Sequence, residues 1–147
     1  MGQVNADASR DVAGEPEVVF AALADYADTR PKLLTEHFSD YEVREGGQGA
    51  GTVVHWRLQA TKKRSRECLF EVTQPAERTL VESDRNSSMV TTWTVEPAGT
   101  GRSRVNVNTR WEGAGGIGGF FEKTFAPAGL RKIYDGVLAR IDETVGA

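Results

Sequence analysis

Hydrophobic and polar positions alternate from the start of the chain: Val4, Ala6, Ala8 and Arg10 share one phase, and Asn5, Asp7 and Ser9 the other. Period-two alternation puts successive side chains on opposite faces and predicts a strand with one buried face. Gly14-Glu15-Pro16 breaks the pattern, and Pro16 suits the first turn of a helix, where no backbone donor is lost. Val19, Phe20, Leu23, Ala24 and Ala27 follow at helical spacing, and Asp28-Thr29-Arg30-Pro31 opens a second helical stretch over Lys32 to Phe38. Two short helices therefore follow the first strand.

From Tyr41 to Glu112 the alternation is almost entirely that of strands. Tyr41 and Val43 run into Gly46-Gly47-Gln48-Gly49-Ala50-Gly51, a hairpin loop by composition. Val54, Trp56, Leu58 and Ala60 alternate with Val53, His55, Arg57 and Gln59, and Cys68, Phe70 and Val72 continue after the turn at Lys62-Lys63-Arg64-Ser65. Thr79 to Ser83, Met89 to Val95 and Val105 to Trp111 complete the series, separated by turns at Asp84-Arg85-Asn86-Ser87 and Pro97-Ala98-Gly99-Thr100-Gly101. Short strands joined by such turns predict an antiparallel meander. A second glycine cluster, Gly113 to Gly119, ends the sheet. Phe121, Phe125, Leu130, Ile133, Tyr134, Val137, Leu138, Ile141 and Val145 then mark a long amphipathic helix, with a break expected near Pro127. Arg131 with Asp135, and Arg140 with Glu143, sit at ion-pair spacing on its polar face.

One strand, two short helices, six strands and a long closing helix bury their apolar faces together only if the sheet curls around that helix. The expected class is α+β: a curved antiparallel seven-stranded sheet gripping the C-terminal helix, with the two short helices after the first strand. This order resembles the helix-grip fold of the START-like, or SRPBCC, superfamily, which includes polyketide cyclases and aromatases, lipid-transfer domains and plant pathogenesis-related proteins. The resemblance is carried by the opening strand, by Glu15-Pro16-Glu17-Val18-Val19-Phe20 with Leu23-Ala24-Asp25, and by the closing Phe125-Ala126-Pro127-Ala128-Gly129-Leu130. It is nearest to small bacterial members described as polyketide cyclase/dehydrase-like. It implies one START-like ligand-binding domain over residues 1–147.

Composition narrows the function. A chain of 147 residues buries enough surface to need no disulfides, and its one cysteine, Cys68, has no internal partner. With 18 basic and 21 acidic side chains the net charge is −3, which disfavours an electrostatic nucleic-acid binder. No apolar run approaches the length of about 18 residues that reads as a membrane span, and the first residues lack the pattern of a signal peptide. A cytoplasmic protein with no stable membrane anchor is expected.

Gly113-Ala114-Gly115-Gly116-Ile117-Gly118 matches a dinucleotide fingerprint, but that fingerprint requires a βαβ unit with a further parallel strand. Preceding antiparallel strands and a closing helix refuse it, and the cluster reads as a mobile connection that lets the helix enter the sheet; the resemblance implies that it sits near the cavity mouth and acts as a gate. His37 and His55 offer no metal spacing. His55 falls on the polar phase and reads as solvent-facing, and Cys68 reads as a buried apolar side chain. No nucleophile elbow is present. No cofactor, no metal and no catalytic residue is assigned.

Trp56, Trp93 and Trp111 all occupy the apolar phase of their strands. Together with Phe70, Met89, Thr91, Phe121, Phe125 and Tyr134 they would wall an apolar cavity with a few polar points, the usual anatomy of a small-molecule site. His37, Arg66 and Glu82 are the candidate polar groups; Glu82 shares a phase with Leu80, and Arg66 with Cys68. The expected function is binding a small hydrophobic or aromatic molecule, lipid or polyketide-like, between sheet and C-terminal helix. The resemblance adds two alternatives, a polyketide cyclase, aromatase or dehydratase, and a non-catalytic stress-response or protein-interaction module.

Overall fold

The structure is a computed structural model that describes residues 3–61, 64–112 and 127–146. Its elements are β1 (Gln3–Val12), α1 (Pro16–Ala24), α2 (Arg30–Leu33), β2 (Phe38–Glu45), β3 (Val53–Thr61), β4 (Arg64–Ala76), β5 (Thr79–Asp84), β6 (Val90–Pro97), β7 (Ser103–Glu112) and α3 (Pro127–Val145). The seven strands form one antiparallel sheet in the order β1-β7-β6-β5-β4-β3-β2. β2 to β7 is therefore a meander, and β1 returns to pair with β7. The curved sheet and its closing helix make the α+β helix-grip architecture.

The period-two pattern sets which side chains enter the interior. Ala6, Ala8 and Val12 of β1 are buried while the intervening residues are not. Glu82 faces Val72 on one side and Thr91 on the other, Thr91 faces Thr109, and Thr109 faces Ala6. One transverse row of the inner face thus carries three polar side chains. The next row, Leu80, Trp93, Val107 and Ala8, is wholly apolar.

α3 presents Leu130, Ile133, Tyr134, Val137, Leu138 and Ile141 to this floor, all buried. It packs chiefly along β1 and touches α1 and α2. Asp142 fastens it to the end of β1, accepting from the Ala13 amide at 3.0 Å and from Arg10 at 3.4 Å. Gly136 lies where a Cβ would stand 3.1 Å from Thr35 Cγ2. A glycine in mid-helix costs about 1 kcal/mol relative to alanine, and here it lets the helix approach the α2–β2 connection.

Two expectations change. The second helix stops at Leu33, Leu34 is already extended, and Phe38 begins β2. Phe38 there packs edge-on against Trp56, with ring centroids 6.0 Å apart, so tertiary packing ends the helix early. Arg131 does not pair with Asp135; it donates to the Asp7 carbonyl of β1 at 2.9 Å. Helix α3 is described from Pro127 onward, so the expected break there, the Gly113 to Gly119 cluster and Phe121 and Phe125 lie outside the described residues. No helix among the described residues is long and apolar enough to cross a membrane.

Candidate functional site

Between the sheet floor and α3 lies a cavity lined by Leu34, Phe38, Trp56, Leu58, Phe70, Met89, Trp93 and Val137, with Arg30, Glu82, Thr91 and Tyr134 as its polar points. It is tight. About 10 Å³ admits the centre of a water molecule, room for roughly one water.

Its polar centre is a buried ion pair. Arg30 Nη2 donates to Glu82 Oε2 at 2.6 Å, and both side chains are 1% exposed. Glu82 Oε2 also accepts from the Tyr26 hydroxyl at 2.5 Å, and Oε1 from the Trp93 indole N–H at 3.1 Å. Arg30 Nη1 donates to the Leu23 carbonyl at 2.9 Å. The guanidinium carbon lies 4.8 Å from the Tyr26 ring centre and 4.9 Å from that of Trp93, with Trp56 at 6.0 Å. Such faces attract a cation through the ring quadrupole. Burial pulls the Arg30 pKa down, but the adjacent Glu82 carboxylate, with Tyr26 and Tyr41, outweighs it and the net direction is up. Burial and then Glu82 push the Tyr26 phenol well up, so it stays a donor.

Local structure explains how Arg30 reaches this place. Asp25 ends α1 and its carboxylate accepts from the Asp28 and Thr29 amides and from the Thr29 hydroxyl, which folds the chain tightly into α2. Gln48, in the first glycine loop, donates to the same carboxylate at 2.6 Å. The Ala27 amide of the turn donates to the Gly47 carbonyl of that loop, and the Gly49 amide of the loop donates to the Ala24 carbonyl. The turn carrying Tyr26 and Arg30 is thereby tied to the β2–β3 loop. Tyr41, from β2, donates to the Tyr26 carbonyl at 2.6 Å and stacks on Trp56 at 6.0 Å.

A second polar cluster sits along the same floor. The Thr91 and Thr109 hydroxyls are 2.8 Å apart, and Thr109 lies 2.5 Å from the Tyr134 hydroxyl on α3. Burial pushes the Tyr134 pKa up to about 12, against the lowering effect of the Thr109 and Thr91 contacts. Trp93 meets the Tyr134 ring edge-on at 6.0 Å, linking the two clusters.

Comparison with known proteins places this architecture. The family described as polyketide cyclase / dehydrase and lipid transport matches residues 3–146. The chain belongs to this family. Among solved structures, the NMR solution structure of the KanY protein is 54% identical, with each chain covered over 100% and a TM-score of 0.90. A START superfamily protein from Mycobacterium smegmatis is 13% identical, with 97% of this chain and 99% of that one covered and a TM-score of 0.65. Norcoclaurine synthase from Thalictrum flavum, a point mutant in complex with a transition-state analogue, is 14% identical over 97% and 96%, with a TM-score of 0.69. The last two share the fold alone at that identity. No curated protein matches the sequence.

Within this polyketide cyclase / dehydrase and lipid transport family member, the cavity gathers Trp56, Phe70, Met89, Thr91, Trp93, Tyr134 and Glu82 from the candidate residues named from the sequence. Trp111 is buried but lies outside the cavity lining. The structure does not bring His37 or Arg66 to the cavity. His37 is paired by Nδ1 with the Gln59 carbonyl at 3.1 Å, because the chain has already turned into β2. Arg66, near the start of β4, donates to the Asn86 carbonyl of the β5–β6 turn at 3.3 Å. His55 is not a loose surface side chain: it meets the Asp40 carbonyl at 2.8 Å and the Glu67 carboxylate at 2.6 Å. Cys68 is buried, and burial pushes its thiol pKa up. Sequence reasoning missed Arg30, Tyr26, Tyr41 and Thr109. A signal existed for Thr109, which shares the phase of Val105, Val107 and Trp111.

Proposed function

We propose that the protein binds a small hydrophobic or aromatic molecule, of lipid or polyketide-like character, in the cavity between the sheet and α3, with residues 1–147 acting as one START-like ligand-binding domain. The observation that carries this reading is a cavity walled by apolar and aromatic side chains around a few convergent polar groups, the usual anatomy of a ligand site. Binding draws on the ligand's apolar surface, at ~25 cal/mol per Å² removed from water. Because the space is so tight, the ligand must displace side chains. Leu34 and Phe38 are only partly buried, and Met89 is unbranched and adaptable. These three are the movable wall.

Two other readings find less support. A cyclase or dehydratase needs a base presented to the substrate, whereas Glu82 is ion-paired with Arg30 and has three of its about four acceptor positions in use. A protein-interaction module needs a contiguous exposed apolar patch; among the described residues the one large exposed hydrophobic is Val18.

An NMR titration of the full chain with isopropylbenzene, followed at the Trp56 and Trp93 indole N–H signals, tests the proposal. Saturable shifts at both are expected. Shifts confined to surface residues, or none at millimolar ligand, would overturn it.

A further inference from the structure

One nitrogen of the Arg30 guanidinium, Nε, has no hydrogen-bond partner among the described residues. Nη1 donates to the Leu23 carbonyl and Nη2 to Glu82, while Tyr26 and Trp93 cover the guanidinium near its carbon. Nε is buried and has no partner among the described residues, and Arg30 lines the cavity. A buried N–H without an acceptor is costly and normally finds one. An acceptor approaching in the guanidinium plane would complete it.

The charge balance decides which acceptor. Among the described residues Arg30 and Glu82 are the only charged side chains lining the cavity, and they neutralise each other. A carboxylate ligand would add an uncompensated buried charge, which is strongly penalised. An alcohol would bring a donor whose proton needs a further acceptor, and three of the about four acceptor positions of Glu82 are already taken by Tyr26, Arg30 and Trp93. A carbonyl oxygen accepts, carries no net charge and brings no proton. We propose that the cavity selects a neutral, carbonyl-bearing aromatic or conjugated molecule whose oxygen accepts from Arg30 Nε. The inference rests on the cavity-binding reading and names its ligand class. Thr91 directly faces Glu82 on the neighbouring strand and joins the Thr109 and Tyr134 hydroxyls. This cluster offers a second polar contact to a ligand with a further oxygen.

Three probes of nearly equal shape separate the outcomes: acetophenone, isopropylbenzene and benzoate, titrated at pH 7 into the full chain. NMR reads the Trp93 indole N–H and the Arg30 Nε–H. Acetophenone is expected to bind at least as tightly as isopropylbenzene and to shift the Arg30 Nε–H, with benzoate weaker by about tenfold or more. In a cavity offering the ketone no donor, its unpaired carbonyl would make it about tenfold weaker than the hydrocarbon. That result, an unmoved Arg30 Nε–H, or benzoate binding tightest would overturn the carbonyl assignment while leaving the cavity reading intact. Binding by none of the three at the indole signals would overturn the cavity reading itself, and this inference with it.

Discussion

A guanidinium with 1% of its surface exposed is shut off from bulk water, so its neighbours must do what solvent does elsewhere. Glu82 supplies the opposite charge, the Leu23 carbonyl a second acceptor, and the Tyr26 and Trp93 rings polarisable faces. Removing one member of such a pair leaves the other charge buried and unmatched, at a cost of about 3–5 kcal/mol. Glu82→Ala is expected to lose that much in urea unfolding, and the double variant Arg30→Met/Glu82→Gln to lose markedly less, because no net charge remains inside. Equal losses would show that the pair's charge is not what matters. Tyr134→Phe is a milder change: Thr91 and Thr109 keep their mutual bond, so about 1 kcal/mol is expected in the same assay. Glu82 was legible in the sequence because its phase with Leu80 put it on the inner face. Arg30 was not, since a charged residue opening a helix normally faces water and nothing local says otherwise. Its burial is set by Glu82, far along the chain, and by the turn after α1.

At the scale of elements, the strands were readable because one side of the sheet faces the core and period two follows directly. Register supports this in the alternating burial of β5, β6 and β7. The α2 end was not readable, because Leu34 to Phe38 keep helix-compatible residues while Phe38 is drawn onto Trp56. The glycine loop of 46–51 looked like a plain hairpin and proves to be a brace for the turn bearing Arg30. Gly46 has φ +69, and a Cβ there would stand 2.9 Å from the Thr52 Cα, whereas Gly49, at φ +56, has open space around it. A left-handed conformation costs a non-glycine residue about 1–2 kcal/mol. Gly49→Ala is expected to cost about that, and Gly46→Ala distinctly more because backbone must also shift. Thermal unfolding of the two variants side by side checks the order; a reversed order would refute the bracing geometry.

Across the whole molecule, protons held inside couple stability to alkaline pH. Burial raises the Cys68 thiol and the Tyr26, Tyr41 and Tyr134 phenols above ordinary values of 9.0 for Cys and 10.0 for Tyr. When the folded pKa lies above the unfolded one, the unfolded chain loses its proton first, so the stabilisation is complete below the unfolded pKa and is lost above it. Stability to urea is therefore expected to hold up to about pH 9 and to fall steadily towards pH 12. Tyr134, pushed to about 12, contributes within that window, so Tyr134→Phe should flatten the decline; a flat profile from pH 9 to 12 would contradict the account.

The fold as a whole was legible from element order and an apolar C-terminal stripe, and the family match over residues 3–146 agrees with it. Strand phase pointed to Glu82 and to the strand-borne part of the cavity lining, but not to Arg30 and Tyr26, which remote segments bring to the polar centre. The most direct test of that centre is a crystal structure of the chain with acetophenone. The account predicts the ring between Trp56, Phe70 and Val137, with Leu34, Phe38 or Met89 displaced and the carbonyl oxygen within hydrogen-bond distance of Arg30 Nε. A ring seated on the outer face of the sheet, with the interior unchanged, would contradict it.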